Sequence, residues 1–188
     1  MDKDRIRKAI YDILVAIGEE PEREGLKDTP SRMADMYEEL FSGLSRDPVE
    51  VLREAEFVVP HQEMVIVRDI PFYSMCEHHL LPFYGRVHIG YIPAEKVAGI
   101  SKFARAVEIL SRRLQIQERL TTQIADAIME ALEPQGVGVI VEAEHLCMIM
   151  RGVEKPGSFI TTSAMRGLFR RSPLTRSEFL TLIEGGRR

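Results

Sequence analysis

The stretch MVIVRDIPFYSMCEHHLLPFYGRVHIGYI, residues 64–92, carries a strong strand signal. Its two ends, Met64–Val67 and Arg86–Ile92, are rich in β-branched and aromatic residues and therefore predict two strands. Pro71 and Pro82 interrupt the pattern between them. We therefore expect a strand, then an irregular loop that carries reactive side chains, then a second strand.

Apolar residues at helical spacing predict helices before and after this stretch. The predicted helices run from Ile6 to Ile17, from a Thr29 cap to Gly43, from an Asp47 cap through Leu52, from a Ser101 cap through Leu110, from Leu120 to Leu132, and from a capping box at Thr175 through Ile183. Three further segments, 137–143, 145–150 and 158–164, predict strands.

Strands that follow one another in pairs favour an α+β fold over alternating βαβ units. We expect an antiparallel four-stranded sheet with the two central helices on one face, preceded by N-terminal helices. The edges of so small a sheet would stay open unless sheets of several chains join edge to edge. This organisation divides the chain into an N-terminal helical segment, 1–56, and a catalytic domain, 57–188.

Composition restricts the class of protein. The 188 residues include 25 Lys+Arg and 29 Asp+Glu, for a formal charge of −4, and 45% are hydrophobic, which excludes wholesale disorder. A mildly acidic chain argues against general affinity for nucleic acid. The chain has no run of about 18 apolar residues and no signal-peptide core, so we expect a cytoplasmic protein without a membrane partner.

Both cysteines lie beside histidines, in Cys76-Glu-His-His79 and in His145-Leu-Cys147. Cys-x-x-His offers a thiolate and an imidazole one tight turn apart, a common zinc-binding spacing. If residues 145–147 are extended, His145 and Cys147 point to the same side, and Cys147 can supply a third ligand. Two thiolates and one imidazole would leave the fourth position for water, whose pKa zinc lowers towards about 7.

The spacing alone leaves alternatives open. A closed structural site would use Cys76, His79, His145 and Cys147 and would leave no position for water. The cysteines could also be ordinary buried residues, or form a disulfide, which a reducing compartment disfavours. Nor does the spacing decide whether His78 or His79 is the ligand.

Ser101-Lys102-Phe-Ala-Arg105 is a candidate anion site. If Ser101 begins a helix, its hydroxyl, the free backbone N–H groups, Lys102 and Arg105 converge on one point, where a phosphate would bind. The alternative is a capped surface helix with solvated charges. Taken alone, that alternative is the more common case.

Gln117 and Glu118 lie near the start of the next predicted helix. A carboxylate accepts from the N–H groups of a purine, and an amide can donate to its carbonyl, but such pairs are common on helices. Arg32 and Arg151 are isolated arginines, for which an ordinary salt bridge is the default interpretation.

Five motifs together are more specific than any one of them. They are DTPSRMA (28–34), SMCEHH (74–79), GISKFAR (99–105), QIQERLT (115–121) and EHLCMIMRG (144–152). In this order they resemble GTP cyclohydrolase I over about residues 28–184. That resemblance implies hydrolytic opening of the guanine imidazole ring of GTP, release of C8 as formate, and formation of 7,8-dihydroneopterin triphosphate, the first step of pterin and tetrahydrofolate biosynthesis.

The resemblance also implies a tunnelling fold and a toroidal homodecamer of two pentamers with active sites at subunit interfaces. Carried over by position, it implies Zn²⁺ bound by Cys76, His79 and Cys147, and catalytic roles for His78 and His145. The implied substrate-binding residues are Glu118 and Gln117 for guanine, and Ser101, Lys102, Arg105, Arg151 and Arg32 for the triphosphate. The chain lacks the long N-terminal extension of animal members, so no regulatory partner is expected.

In the implied mechanism, His145 protonates N7 of guanine and His78 carries a later proton. Three other interpretations compete with this one. The first is a non-catalytic module with a structural zinc site and a nucleotide pocket. The second is another tunnelling-fold enzyme that acts on a different pterin or purine. The third is a purely structural oligomer, which the clustering of reactive residues disfavours.

Overall fold

The computed structural model describes residues 1–185. They form two compact units, Met1–Ser42 and a larger one that begins at Gly43. In the first unit, α1 (Lys3–Ala16) and α2 (Thr29–Leu40) confirm two of the predicted helices. Their apolar faces pack together, and Lys3 of α1 forms ion pairs with Asp35 and Glu38 of α2.

After α2 the chain forms helices and strands of very different lengths, with four strands in succession over residues 56–98. In chain order they are a 3₁₀ helix (Ser42–Ser45), α3 (Pro48–Arg53), β1 (Glu56–Val58), β2 (Val65–Cys76), β3 (Pro82–Ile92), β4 (Lys96–Ala98), α4 (Ile100–Ser111), β5 (Leu114–Gln115), α5 (Gln117–Leu132), β6 (Gly136–His145), α6 (Leu146–Ile149), β7 (Ile160–Gly167), α7 (Leu168–Arg171) and α8 (Pro173–Glu184). The domain boundary predicted after residue 56 stays a prediction. Residues 43–56 belong to the larger of the two units.

The main sheet has five strands in the order β5-β2-β3-β6-β7. The pairs β2–β3, β3–β6 and β6–β7 are antiparallel, which confirms the mixed α+β class and the four antiparallel strands. The fifth strand, β5, adds only two residue pairs, parallel to β2. A separate two-stranded sheet joins β1 to β4. Strands of two or three residues show no periodicity, so the sequence did not predict β1, β4 or β5.

Strand β6 separates two hydrophobic clusters, because alternate residues point to opposite faces of the sheet. Val137, Val139 and Val141 belong to the main core, into which α4 and α5 pack, as predicted for one face. Ile140 belongs to a smaller cluster on the other face, with Phe169 of α7 and Phe179 of α8. The sheet is thus covered by helices on both faces.

The prediction of a long irregular loop before Arg86 was wrong. β2 extends to Cys76 and β3 begins at Pro82, so only a tight turn separates them. The prolines are tolerated because Pro82 opens its strand and Pro71 lies where β2 has no partner on its β5 side, which is paired only at Met75 and Cys76.

The prediction of a strand over 145–150 was also wrong, because β6 ends at His145 and α6 follows immediately. Three predicted caps were misplaced by one to three residues: Asp28, Gly99 and Ser172 occupy the N-cap positions of α2, α4 and α8. The Asp47 cap of α3 is confirmed, since its side chain accepts from Val49 N. Within residues 1–185, no helix has the length and apolar character needed to cross a bilayer.

Candidate active site

The turn between β2 and β3 brings Cys76 and His79 together. Cys76 N donates to Leu81 O, and Leu80 N donates to Cys76 O, both at 2.9 Å, so the chain folds back on itself. Leu80 closes the turn in the left-handed region, with φ of 53°. In consequence, His79 Nδ1 lies 3.8 Å from Cys76 Sγ.

Cys147 reaches the same place from the neighbouring strand. Phe83, just after the turn, pairs in register with His145 at the end of β6, and the helical turn α6 then carries Cys147 towards the β2–β3 turn. One ligand atom from each of Cys76, His79 and Cys147 lies within 4.8 Å of the others. We call these three residues the Cys-His-Cys group.

The Cys-His-Cys group fits a zinc ion. Two soft sulfur ligands and one imidazole form a donor set that zinc prefers, with one tetrahedral position left open. Cys76 is buried, Cys147 is half-buried and His79 is exposed, so one side of the group faces solvent. Burial raises the pKa of the Cys147 thiol, and the adjacent Cys76 raises it further. A bound cation would favour the thiolates of both residues.

His145 is fixed in two directions. Its ring stacks on Phe83 with a centroid distance of 4.6 Å and an interplanar angle of 7°. Its Nε2 lies 2.8 Å from Oε1 of Gln117, the first residue of α5. Burial lowers the pKa of His145, while the carboxylate of Glu118 acts in the opposite direction. His145 is therefore a rigidly held imidazole with a neighbouring negative charge.

Gln117 and Glu118 differ sharply in their surroundings. The side chain of Gln117 is buried and its amide is fully engaged inside the protein. Glu118 is exposed in the first turn of α5, where a carboxylate is available to a ligand. The predicted contact of both residues with guanine stays a prediction.

A bidentate ion pair connects the turn to α5. Arg119 Nη1 and Nη2 donate to the two carboxylate oxygens of Glu77 at 2.7 and 2.9 Å. The hydrogen bonds from Arg119 hold the pKa of the Glu77 carboxyl below its ordinary value. His78, next in the chain, is exposed, with Nε2 3.8 Å from the Glu77 carboxylate. The pair between Glu77 and Arg119 was not foreseen, although Glu77 lies inside the CEHH motif.

Three of the residues predicted to bind phosphate lie on α4, away from the elements that carry the Cys-His-Cys group. Ser101, Lys102 and Arg105 belong to the first two turns of α4, and Lys102 pairs with Glu54 just after α3. That pair holds the pKa of Glu54 below its ordinary value. The structure joins none of these three side chains directly to the Cys-His-Cys group by a hydrogen bond or ion pair of residues 1–185.

The two remaining arginines are in different units. Arg151 follows α6, and its Nη1 lies 3.5 Å from His79 Nε2, at the edge of the Cys-His-Cys group. Arg32 belongs to the first unit and pairs with Asp28 at 3.4 Å. The structure thus places Arg151 beside the candidate metal centre, while the phosphate contact of Arg32 stays a prediction.

The fold and the site define an α+β protein with a Cys-His-Cys group that could hold a metal ion, beside a fixed histidine. The family model for GTP cyclohydrolase I matches residues 6–184. The chain is similar to curated proteins named GTP cyclohydrolase 1. The protein of that name from Dehalococcoides mccartyi strain BAV1 is 62% identical to it, over 97% of both chains. The one from Carboxydothermus hydrogenoformans is also 62% identical, over 97% of this chain and 95% of its own length. A relative of the same name from Streptococcus agalactiae is 56% identical, over 98% of this chain and 99% of its own.

The chain belongs to the GTP cyclohydrolase I family, and the resemblance inferred from its motifs is confirmed. It is an enzyme with GTP cyclohydrolase activity. A solved archaeosine synthase QueF-like protein in the apo form matches 58% of this chain and 96% of its own, with a TM-score of 0.45 and 21% identity. That likeness is too weak to bear on function.

Proposed function

We propose that this chain is a zinc-dependent GTP cyclohydrolase that releases C8 of guanine as formate and forms 7,8-dihydroneopterin triphosphate. The product would enter pterin and folate biosynthesis. The observation that carries the proposal is the convergence of Cys76, His79 and Cys147, whose ligand atoms lie within 4.8 Å of one another. Cys76, His79 and Cys147 would hold the ion, which when bound would supply a Lewis acid and a water of lowered pKa.

Three residues around the Cys-His-Cys group transfer protons and orient the base. His145 in its imidazolium form transfers a proton to N7 of the purine, which makes C8 electrophilic, and becomes neutral imidazole; its fixed ring limits the reorganisation needed at that step. Glu118 accepts hydrogen bonds from the guanine N–H groups and sets the orientation of the base. His78 is exposed in the turn beside the ligands and carries a proton during later ring opening and closure.

Cationic side chains hold the triphosphate. Ser101, Lys102, Arg105, Arg151 and Arg32 supply the charge and the donors, and binding at this remote end positions the reacting carbon. Lys102 would leave Glu54 for the phosphate, a modest cost for a pair whose acid partner is exposed.

We further propose a toroidal homodecamer of two pentamers, located in the cytoplasm, with active sites between subunits. The outer edge of β7 supports edge-to-edge assembly, because within residues 1–185 β7 pairs only with β6. Light scattering of the purified protein tests the assembly. The mass of ten chains is expected, and the mass of a single chain would contradict it.

Product analysis tests the reaction. The zinc-loaded protein is incubated with GTP or, as a control, with ATP. Formate and the fluorescence of the oxidised pterin are measured in both cases. GTP should give formate and pterin in equal amounts, while ATP should give neither because Glu118 would meet the wrong purine edge. Zinc and GTP binding without formate release would instead support a non-catalytic nucleotide-binding module.

A further inference from the structure

The orientation of the Gln117 amide is determined by its surroundings. Nε2 carries two protons and donates to the backbone carbonyl oxygens of Val141 at 3.0 Å and Ile160 at 2.8 Å; Oγ1 of Thr162, at 3.2 Å, is a third acceptor that shares one of these protons. A carbonyl oxygen can only accept a hydrogen bond. Rotating the amide by 180° would place Oε1 against two carbonyl oxygens in a buried site, so the opposite assignment is excluded on hydrogen-bonding grounds.

A second network gives the same orientation. Thr121 Oγ1 donates its single proton to the backbone carbonyl of Gln117 at 2.7 Å. At its 2.6 Å contact with Thr162, Thr121 must therefore accept, and Thr162 must donate. The oxygen of Thr162 is left as an acceptor for Nε2 of Gln117. If Oε1 faced Thr162 instead, it would find no proton there, because Thr162 donates to Thr121.

This orientation determines which nitrogen of His145 carries the proton. Oε1 of Gln117 lies 2.8 Å from His145 Nε2, and an amide oxygen can only accept. Nε2 must therefore be the N–H donor, and neutral His145 has its lone pair on Nδ1. Among residues 1–185, no group hydrogen-bonds to Nδ1. The stack on Phe83 holds the ring plane, and a ring turned over in that plane would place Cε1 instead of Nε2 against Oε1 of Gln117.

We infer that Gln117 is a positioning residue that locks His145 in the tautomer protonated at Nε2, so that Nδ1 is the atom through which His145 exchanges protons with substrate. The statement that Nδ1 exchanges protons with substrate rests on the proposed function, whereas the assignment of the tautomer does not. It replaces a direct role of the Gln117 side chain in guanine binding, which its burial at 2% exposure disfavours.

Nitrogen NMR of the zinc-loaded full-length protein tests the tautomer directly. Histidines labelled with ¹⁵N and ¹³C are measured in the sedimented wild-type protein at about pH 8, where imidazole is neutral. The His145 signals are assigned by their loss in His145→Gln. We expect the protonated nitrogen of His145 to be the one bonded to Cδ2, which is Nε2. A proton on Nδ1, or a mixture of tautomers, would overturn the inference whether or not the protein turns over GTP.

Kinetics of Gln117→Met test the positioning role. Methionine is close in size, but its thioether is only a weak acceptor and has no N–H to hold it in place, so kcat should fall about tenfold or more while KM for GTP changes little. The matched control is Gln115→Met, which removes another buried amide that donates to Leu110 O and Gln123 Oε1 and does not contact His145. The control should keep kcat.

The two roles of Gln117 give opposite results in this experiment. A raised KM with unchanged kcat would mean that Gln117 binds substrate, and would overturn the inference. An equal loss of kcat in Gln117→Met and Gln115→Met would mean that any buried amide in this segment is needed for folding alone, and would also overturn it. If wild-type protein releases no formate, the proposed function fails, and the NMR result still decides the tautomer.

Discussion

The three candidate metal ligands lie in three different types of local backbone structure. Cys76 is the last residue of a strand, His79 precedes a left-handed Leu80 in a tight turn, and Cys147 lies in a single helical turn. No one element therefore contains the site. Its geometry exists only when β3 and β6 pair in the observed register, which places His145 opposite Phe83.

Removal of a ligand and removal of the proton donor should have separable effects. Cys147→Ser weakens the donor set and should bring both zinc content and formate release close to background. His145→Ala leaves the Cys-His-Cys group intact, so zinc content should stay at wild-type level while turnover falls about 10²- to 10⁴-fold. Zinc content is measured by elemental analysis and turnover by formate release. Normal formate release by either variant would contradict the assigned roles.

The sequence predicted which residues meet more reliably than it predicted their local backbone structure, and their role as metal ligands stays a prediction. The coincidence of CEHH and HLC predicted that Cys76 and Cys147 meet, and the structure brings them together. The strand predicted over residues 145–150 was wrong because the chain must turn sharply after His145 to reach the metal group. No single-sequence periodicity reports such a tertiary requirement.

Gln117 could not be interpreted from sequence for a related reason. Its amide partners are the carbonyls of Val141 and Ile160, on β6 and β7, and both lie far along the chain. Sequence alone offered only a polar residue at a helix start, which is equally compatible with substrate binding. Only the pairing of distant strands shows that the side chain is turned inward.

The ion pair between Glu77 and Arg119 is an interaction between two elements, because it links the β2–β3 turn to α5. It is bidentate, so it restrains both distance and orientation. Both side chains keep some contact with solvent, which screens their attraction. We therefore expect the pair to matter more for the placement of the turn than for total stability.

The pH dependence of stability tests this pair. Because Arg119 lowers the pKa of Glu77 in the folded state, the pair stabilises the protein above the ordinary carboxyl pKa of 4.5, and this contribution is lost as the pH falls through the lowered folded pKa. Arg119→Gln should thus unfold at a lower temperature than wild type at neutral pH, with the difference shrinking in acid. Calorimetry from neutral to acidic pH measures it.

The control for that experiment is Arg23→Gln in the first unit. Arg23 pairs with Glu19 through one contact, with both side chains about half exposed. Its removal should shift the unfolding temperature little at any pH. A difference between wild type and Arg119→Gln that is unchanged on acidification would show that Arg119 acts through packing instead.

A second link between elements is steric. Gly90 of β3 and Gly138 of β6 are paired directly, and Phe169 and Phe179 pack over them with ring centroids 5.3 Å apart. A Cβ at Gly138 would lie 2.5 Å from a ring carbon of Phe169. The two glycines therefore make the space in which α7 and α8 dock on the sheet.

Gly138→Ala should consequently destabilise the protein by about 1–3 kcal/mol, because the aromatic rings must move apart to admit a methyl group. Gly99→Ala is the matched control, since a Cβ there meets only ordinary contacts at 3.6 Å or more. Denaturant unfolding of both variants gives the comparison. Equal stability of the two variants would show that α7 and α8 can shift without cost.

For the whole molecule, the sequence predicted the α+β class and the placement of α4 and α5 on one face of the sheet. It did not predict the aromatic cluster on the other face. Phe169 was outside every predicted element, and the two glycines that receive it lay inside predicted strands with nothing to indicate an aromatic partner. Family membership, by contrast, followed from five short motifs because their order is far more specific than the propensity of any segment.

The most direct test is formate release from GTP by zinc-loaded protein, by the same protein after complete chelation, and after zinc is restored. If the Cys-His-Cys group holds the ion on which ring opening depends, formate release should disappear with the metal and return with it, and Cys147→Ser should not respond to added zinc. Undiminished formate release from protein shown to be metal-free would contradict a metal-dependent reaction at Cys76, His79 and Cys147.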